Sequence, residues 1–141
     1  MQLTPINDIM SRATIGAPEP EVGMGATQLM WSDRYPFTII AVSKNKNQII
    51  VQRDDCKRTD TNGMSDSQSY EFTPNPQADT YLVRRMPGGE WRVVSLEVWD
   101  ERGRAYPRNE AVLALLDKRK GRATGSIIAV GYRDRYYDFS L

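Results

Sequence analysis

A chain of 141 residues, 40% hydrophobic and 26% charged, suits one packed domain. Nineteen basic against eighteen acidic side chains leave a net charge of +1, so no global field draws it to nucleic acid or a membrane, and any anion site must be local. With one cysteine, Cys56, and no histidine, the composition excludes an internal disulfide, Cys/His zinc sites and Ser-His-Asp or Cys-His catalysis.

No apolar run reaches the roughly 18 residues of a membrane span. No basic stretch followed by an apolar one opens the chain as a signal peptide would. These features predict an intracellular, soluble protein.

Residues 1–22 read as an N-terminal arm. Asn7–Arg12 suits one helical turn, and the Pro-rich Gly16–Glu21 then blocks regular structure. Such an arm is either a flexible terminus or a segment docked on a neighbouring subunit. A single β-rich domain is predicted over 23–141. Ala26–Trp31 reads as a short strand and Trp31–Pro36 as a turn. The β-branched Phe37–Val42 and Gln48–Arg53, joined by the polar Lys44–Asn47, form the most secure hairpin. Their continuous apolar stretches predict well-buried centres.

Arg53–Phe72 follows, a long stretch dense in charge, hydroxyls and amides. Loops longer than about 12 residues in a compact domain are usually functional or disordered. Ser69–Thr73 alternates aromatic and polar residues as a strand does. Thr80–Arg85, the Pro87–Glu90 turn and Trp91–Val98 make a second hairpin. Trp99–Pro107 reads as an irregular connection. Asn109 is the predicted N-cap of a helix over Ala111–Lys120, with Val112, Leu113, Leu115 and Leu116 apolar, Lys118–Lys120 at its end and Gly121 just past it. Gly125–Arg133 is a last strand, and the chain closes on Tyr136–Leu141. The fold class predicted is mainly β: a small antiparallel barrel or curled sheet, SH3-like as first choice, with one helix in the C-terminal half.

Three polar clusters are candidates for chemistry. In the long loop, Lys57 and Arg58 offer donors to phosphate or carboxylate, and Asn62-Gly63 is a turn able to present backbone N–H groups to an anion. Ser65 and Gln68 add hydroxyl and amide groups. The same stretch also suits an ordinary solvated loop with Asx turns. Calcium does not fit: counting from Asp60, Glu71 falls at the twelfth position, but Gly63 falls at the fourth rather than the sixth. At the first turn, Trp31 and Tyr35 are candidates for stacking on a base, with Arg34 on phosphate. A core Trp31 beside a surface Asp33–Arg34 turn is the plainer alternative. At the C-terminus, Arg133, Arg135 and Tyr136 interleave aromatics with arginines as nucleotide sites do. An edge strand covering the core, or an interface, fits that cluster as well. Helix capping best explains Lys118–Arg122.

Trp31-Ser32-Asp33-Arg34, Lys57-Arg58-Thr59-Asp60 with Asn62-Gly63-Met64-Ser65, and Tyr136-Tyr137-Asp138-Phe139-Ser140 resemble motifs of a family of small uncharacterised bacteriophage and prophage proteins. The resemblance covers roughly residues 22–141. It implies phage origin and action in the cytoplasm of the infected bacterial host, and carries over no activity. By analogy of size and context, it implies a role such as a counter-defence sponge for a nucleotide second messenger.

The expectation is a non-enzymatic protein, without metal or cofactor, binding a small anionic, nucleotide-like ligand. Arg34, Lys57 and Arg58 would take phosphate, Trp31 and Tyr136 would stack, and Asn62, Ser65 and Gln68 would reach hydroxyls or base edges. A homo-oligomer is expected from the Pro-rich arm and the aromatic tail. A virion or assembly protein is the alternative, followed by an RNA- or DNA-binding barrel and, more distantly, a metal-dependent nuclease using Asp54, Asp55 and Asp60.

Overall fold

The computed structural model describes residues 18–64 and 68–136. In chain order its elements are β1 (Gly25–Leu29), β2 (Arg34–Val42), β3 (Gln48–Arg58), β4 (Tyr70–Pro74), β5 (Thr80–Arg85), β6 (Trp91–Val93), β7 (Val98–Asp100), β8 (Gly103–Ala105), α1 (Asn109–Leu113) and β9 (Ile127–Val130). Strands β1, β2, β3, β5, β6 and β9 pair antiparallel in that order, and β9 returns to β1 to close the barrel. Successive barrel strands are therefore neighbours, the simplest way to leave no open edge. The small antiparallel barrel with one helix in the C-terminal half is what the sequence predicted.

Alternation explains the continuous apolar runs. Ile49 and Val51 point into the barrel with Phe37, Ile39, Val83, Trp91 and Ile128. Ile50, between them, faces outward and packs with Leu82, Val94, Leu96 and Val112 of α1. Both faces of β3 are thus covered in this region, so no polar residue interrupts the run.

Two excursions leave the barrel. One is the ribbon of β4 with the far half of β3. The other, between β6 and β9, carries the β7–β8 hairpin and α1. No helix among the described residues is long and apolar enough to cross a membrane.

Several boundaries differ from expectation. The long loop is shorter than predicted: β3 runs on to Arg58, so only 59–69 is a connection. β6 stops at Val93, because Ser95 turns to bridge Arg122 instead of continuing along β5. Val98–Ala105, where the sequence predicts a strand end and then an irregular connection, is a hairpin. The helix is five residues, not ten. Asn109 does not cap it; its Oδ1 accepts from the Thr80 N–H and hydroxyl at 2.9 and 3.0 Å, tying the helix start to β5. The turns after α1 are held by side chains of the barrel. Gln48 Nε2 donates to the Leu116 and Lys118 carbonyls, both at 2.8 Å. Residues 18–24 lie on the barrel: Gly23 N–H donates to Ile39 O at 2.8 Å, and Glu19 pairs with Arg85 at 3.2 Å.

Candidate functional site

The ribbon positions the site. After Arg53, β3 leaves the barrel to pair with β4, from Asp54 opposite Pro74 to Arg58 opposite Tyr70. The start of β2 then lacks its neighbour. The chain after β9 takes that place: the Arg34 N–H donates to Tyr136 O at 3.0 Å, and the Tyr136 N–H to Arg34 O at 3.1 Å. The first turn, the ribbon and the C-terminal segment are thereby gathered at one end of the barrel.

Tyr35 sits at the centre of this surface. The guanidinium carbons of Arg53 and Arg135 lie 4.4 and 4.6 Å from its ring centroid. Next to it, Arg34 lies 4.7 Å from the Tyr136 ring centroid. Its Nε is 2.8 Å from Asp134 Oδ2, an ion pair by distance whose alignment falls short of a hydrogen bond. Burial nevertheless holds the Asp134 carboxyl above its ordinary range, outweighing the pull of Arg34. Burial also raises the Tyr70 phenol, against the opposing fields of Arg135 and Arg58.

Arg133 has a different task. Its Nε donates to Asp54 Oδ2 at 2.8 Å and its Nη2 to Thr38 Oγ1 at 2.9 Å, while Thr38 in turn donates to Asp54 Oδ1 at 2.5 Å. The Asp54 side chain is wholly buried. The Arg133 stem crosses directly over Gly25, where an added Cβ would stand 2.7 Å from Arg133 Cγ. This network clamps the C-terminal segment to the barrel.

The connection 59–69 is organised by Asp60. Its carboxylate accepts from Arg58 Nε at 2.9 and 3.1 Å, from the Asn62 N–H at 2.9 Å and from the Ser69 N–H at 2.6 Å. Arg58 Nη1 also donates to the Gly63 carbonyl. The Arg58 hydrogen bond, then the two backbone ones, hold the Asp60 carboxyl well below the usual carboxylate range. A depressed pKa contributes stability above the unfolded value, about 3.9, lost only as pH falls through the folded value. The connection should therefore keep its Asn62 and Ser69 amide protection at pH 4. Asp60→Ala should abolish that protection even at pH 7, as read by hydrogen exchange. Unchanged protection in the variant would remove Asp60 from this role.

Of the predicted site residues, Arg34, Arg58, Arg133, Arg135 and Tyr136 come together. Lys57 points to the opposite face of the ribbon from Arg58, as strand alternation requires, and Asn62 is exposed near the tip of the connection. Gln68 Oε1 accepts from the Tyr70 hydroxyl at 2.7 Å. Ser65 and residues 137–141 lie outside the described residues. Trp31 is no core residue: at 89% exposed, it stands out from the first turn. Arg53 and Tyr70 were not singled out from the sequence. The signal for Arg53 was alternation, since it continues the face of Ile49 and Val51 to the barrel mouth, where Tyr35 continues that of Phe37 and Ile39.

Clefts of about 560 and 850 Å³ lie elsewhere, the first between turns at the opposite end of β2 and β3, the second beside Tyr106 and α1. Among the described residues no three His, Cys, Asp or Glu side chains gather as a metal ion would need. Comparison with protein-family models, curated proteins and solved structures finds no match for this chain.

Proposed function

We propose that the chain is a non-enzymatic binding protein whose Arg–Tyr surface takes a small anionic, nucleotide-like ligand. The observation that carries this is the Tyr35 ring with two guanidinium groups at 4.4 and 4.6 Å. Such a group offers planar faces to a base and forked donors to a phosphate. Arg53 supports it further, being exposed and in no ion pair among the described residues. Three carboxylates nearby, Asp54, Asp60 and Asp134, each face an arginine, an arrangement that favours binding over acid–base catalysis. Arg58 and Arg133 act as positioning residues in this scheme. Phage origin and action in the host cytoplasm accompany the proposal on the strength of the motif resemblance, a sponge for a nucleotide messenger by analogy of size and context, and a homo-oligomer on the Pro-rich arm and the aromatic tail.

A second reading, binding of single-stranded nucleic acid, is favoured by one observation: Trp31 offers an open stacking face at 89% exposure. Mass spectrometry of nucleotides released from the denatured protein, followed by titration with mononucleotides, cyclic dinucleotides and oligonucleotides, separates the two. Preference for a small nucleotide with weak salt dependence supports the first. Affinity that grows with oligonucleotide length and falls steeply with salt supports the second. Binding of none of these would overturn both.

A further inference from the structure

The cleft of about 560 Å³ lies at the opposite end of β2 and β3 from the Arg–Tyr surface. Its walls are the β2–β3 turn, the β5–β6 turn and the turns after α1. Four cations line it, Lys44, Arg84, Arg85 and Arg119, against one carboxylate, Asp117. That carboxylate is already engaged, accepting from the Lys44 backbone N–H at 2.9 Å.

Arg84 is the unusual member. It is 6% exposed, yet no carboxylate pairs with it among the described residues. Nε donates to Gln48 Oε1 at 2.8 Å, Nη1 to Gly121 O at 3.0 Å and Nη2 to Lys120 O at 2.7 Å. Those contacts explain how the turns after α1 are held. They occupy three of the five N–H groups of a guanidinium, and they leave its buried charge uncompensated. Arg119 adds like charge beside it, and burial with that charge pulls the Arg84 pKa down. Arg85, the next residue of β5, turns to the other face, where its guanidinium lies 4.6 Å from the Trp91 ring centroid and meets Glu19 at 3.2 and 3.3 Å, so its charge is already matched. A buried guanidinium normally has an opposite charge nearby, because an uncompensated buried charge is costly.

We propose that this cleft is a second, separate anion site, which binds a phosphate group, either free or as the monoester of a small molecule. A phosphate offers several acceptor oxygens and up to two negative charges, matching spare N–H groups of Arg84 and two exposed cations, Lys44 and Arg119. A monocarboxylate would satisfy fewer of them. The site stands independently of the Arg–Tyr surface.

The test is a nuclear magnetic resonance titration of the full chain at fixed ionic strength. It follows the Arg84 Nε–H and Gln48 side-chain amide signals, with inorganic phosphate in one arm and ribose 5-phosphate in the other. Saturable shifts of those signals are expected in at least one arm, and a tighter ester arm would identify the monoester as the ligand. Arg84→Gln would strip support from the turns and endanger folding, so the exposed cations carry the test. Lys44→Gln/Arg119→Gln should weaken binding about tenfold or more. Lys57→Gln/Arg104→Gln makes the same change of charge elsewhere and should leave binding as it was, as should Arg53→Ala. The proposal is overturned if neither probe gives saturable shifts, if the cleft variant binds like the parent, or if the remote pair weakens binding equally.

Discussion

Asp54→Ala should lower the unfolding free energy by about 3 kcal/mol or more, because removing one partner of a buried ion pair leaves the other charge stranded. The Asp54 side chain is fully buried and that of Arg133 is 30% exposed, so most of the penalty survives solvent screening. Thr38 loses its acceptor in the same change. For a domain of this size the midpoint of thermal unfolding should fall by roughly 10 °C. Replacing both partners, Asp54→Leu with Arg133→Met, should recover a large part of the loss, since a matched apolar pair leaves no orphaned charge. A change within about 0.5 kcal/mol for Asp54→Ala would mean the network is not formed. The effect reaches the site: with Arg133 released, the segment carrying Arg135 and Tyr136 loses its clamp beside β2.

The second large effect separates the three tryptophans. Trp91 is 1% exposed and fills the barrel, with Arg85 4.6 Å from its ring centroid. Trp91→Ala should cost about 3–5 kcal/mol, from lost transfer free energy and the cavity left behind. Trp31 and Trp99 are 89% and 80% exposed, so alanine at either should change stability by no more than about 0.5 kcal/mol. Urea unfolding of the three variants decides the matter, with equal slopes expected for all. A Trp31→Ala protein destabilised as much as Trp91→Ala would contradict the fold.

Hydrophobic pattern made the barrel legible. The continuous apolar runs on either side of Lys44–Asn47 come from strands covered on both faces, and this shows in one sequence. The helix was misjudged for a reason local signals do not contain. Lys118–Lys120 and Gly121 look like a helix end, but the carbonyls there are satisfied by Gln48 and Arg84, which are some seventy and thirty-seven residues away in the chain. Helical hydrogen bonds are then not needed to satisfy them. Arg58 was legible as a chemically active side chain, but its pairing with Asp60 depends on how the connection folds. Arg53 and Tyr35 meet only because the two strands close at the barrel mouth, a register that no single segment specifies.

Tyr35, Arg53 and Arg135 are proposed as the binding surface. Calorimetric titration of adenosine and guanosine monophosphates and their cyclic dinucleotides into the parent and into Tyr35→Ala/Arg53→Ala tests it most directly. At least one of these nucleotides should bind the parent. The double variant, shown by circular dichroism to remain folded, should bind it about a hundredfold more weakly, for one lost stacking face and one lost charge-assisted contact. Equal affinity of a nucleotide for the two proteins, or binding of none of them by the parent, would contradict it.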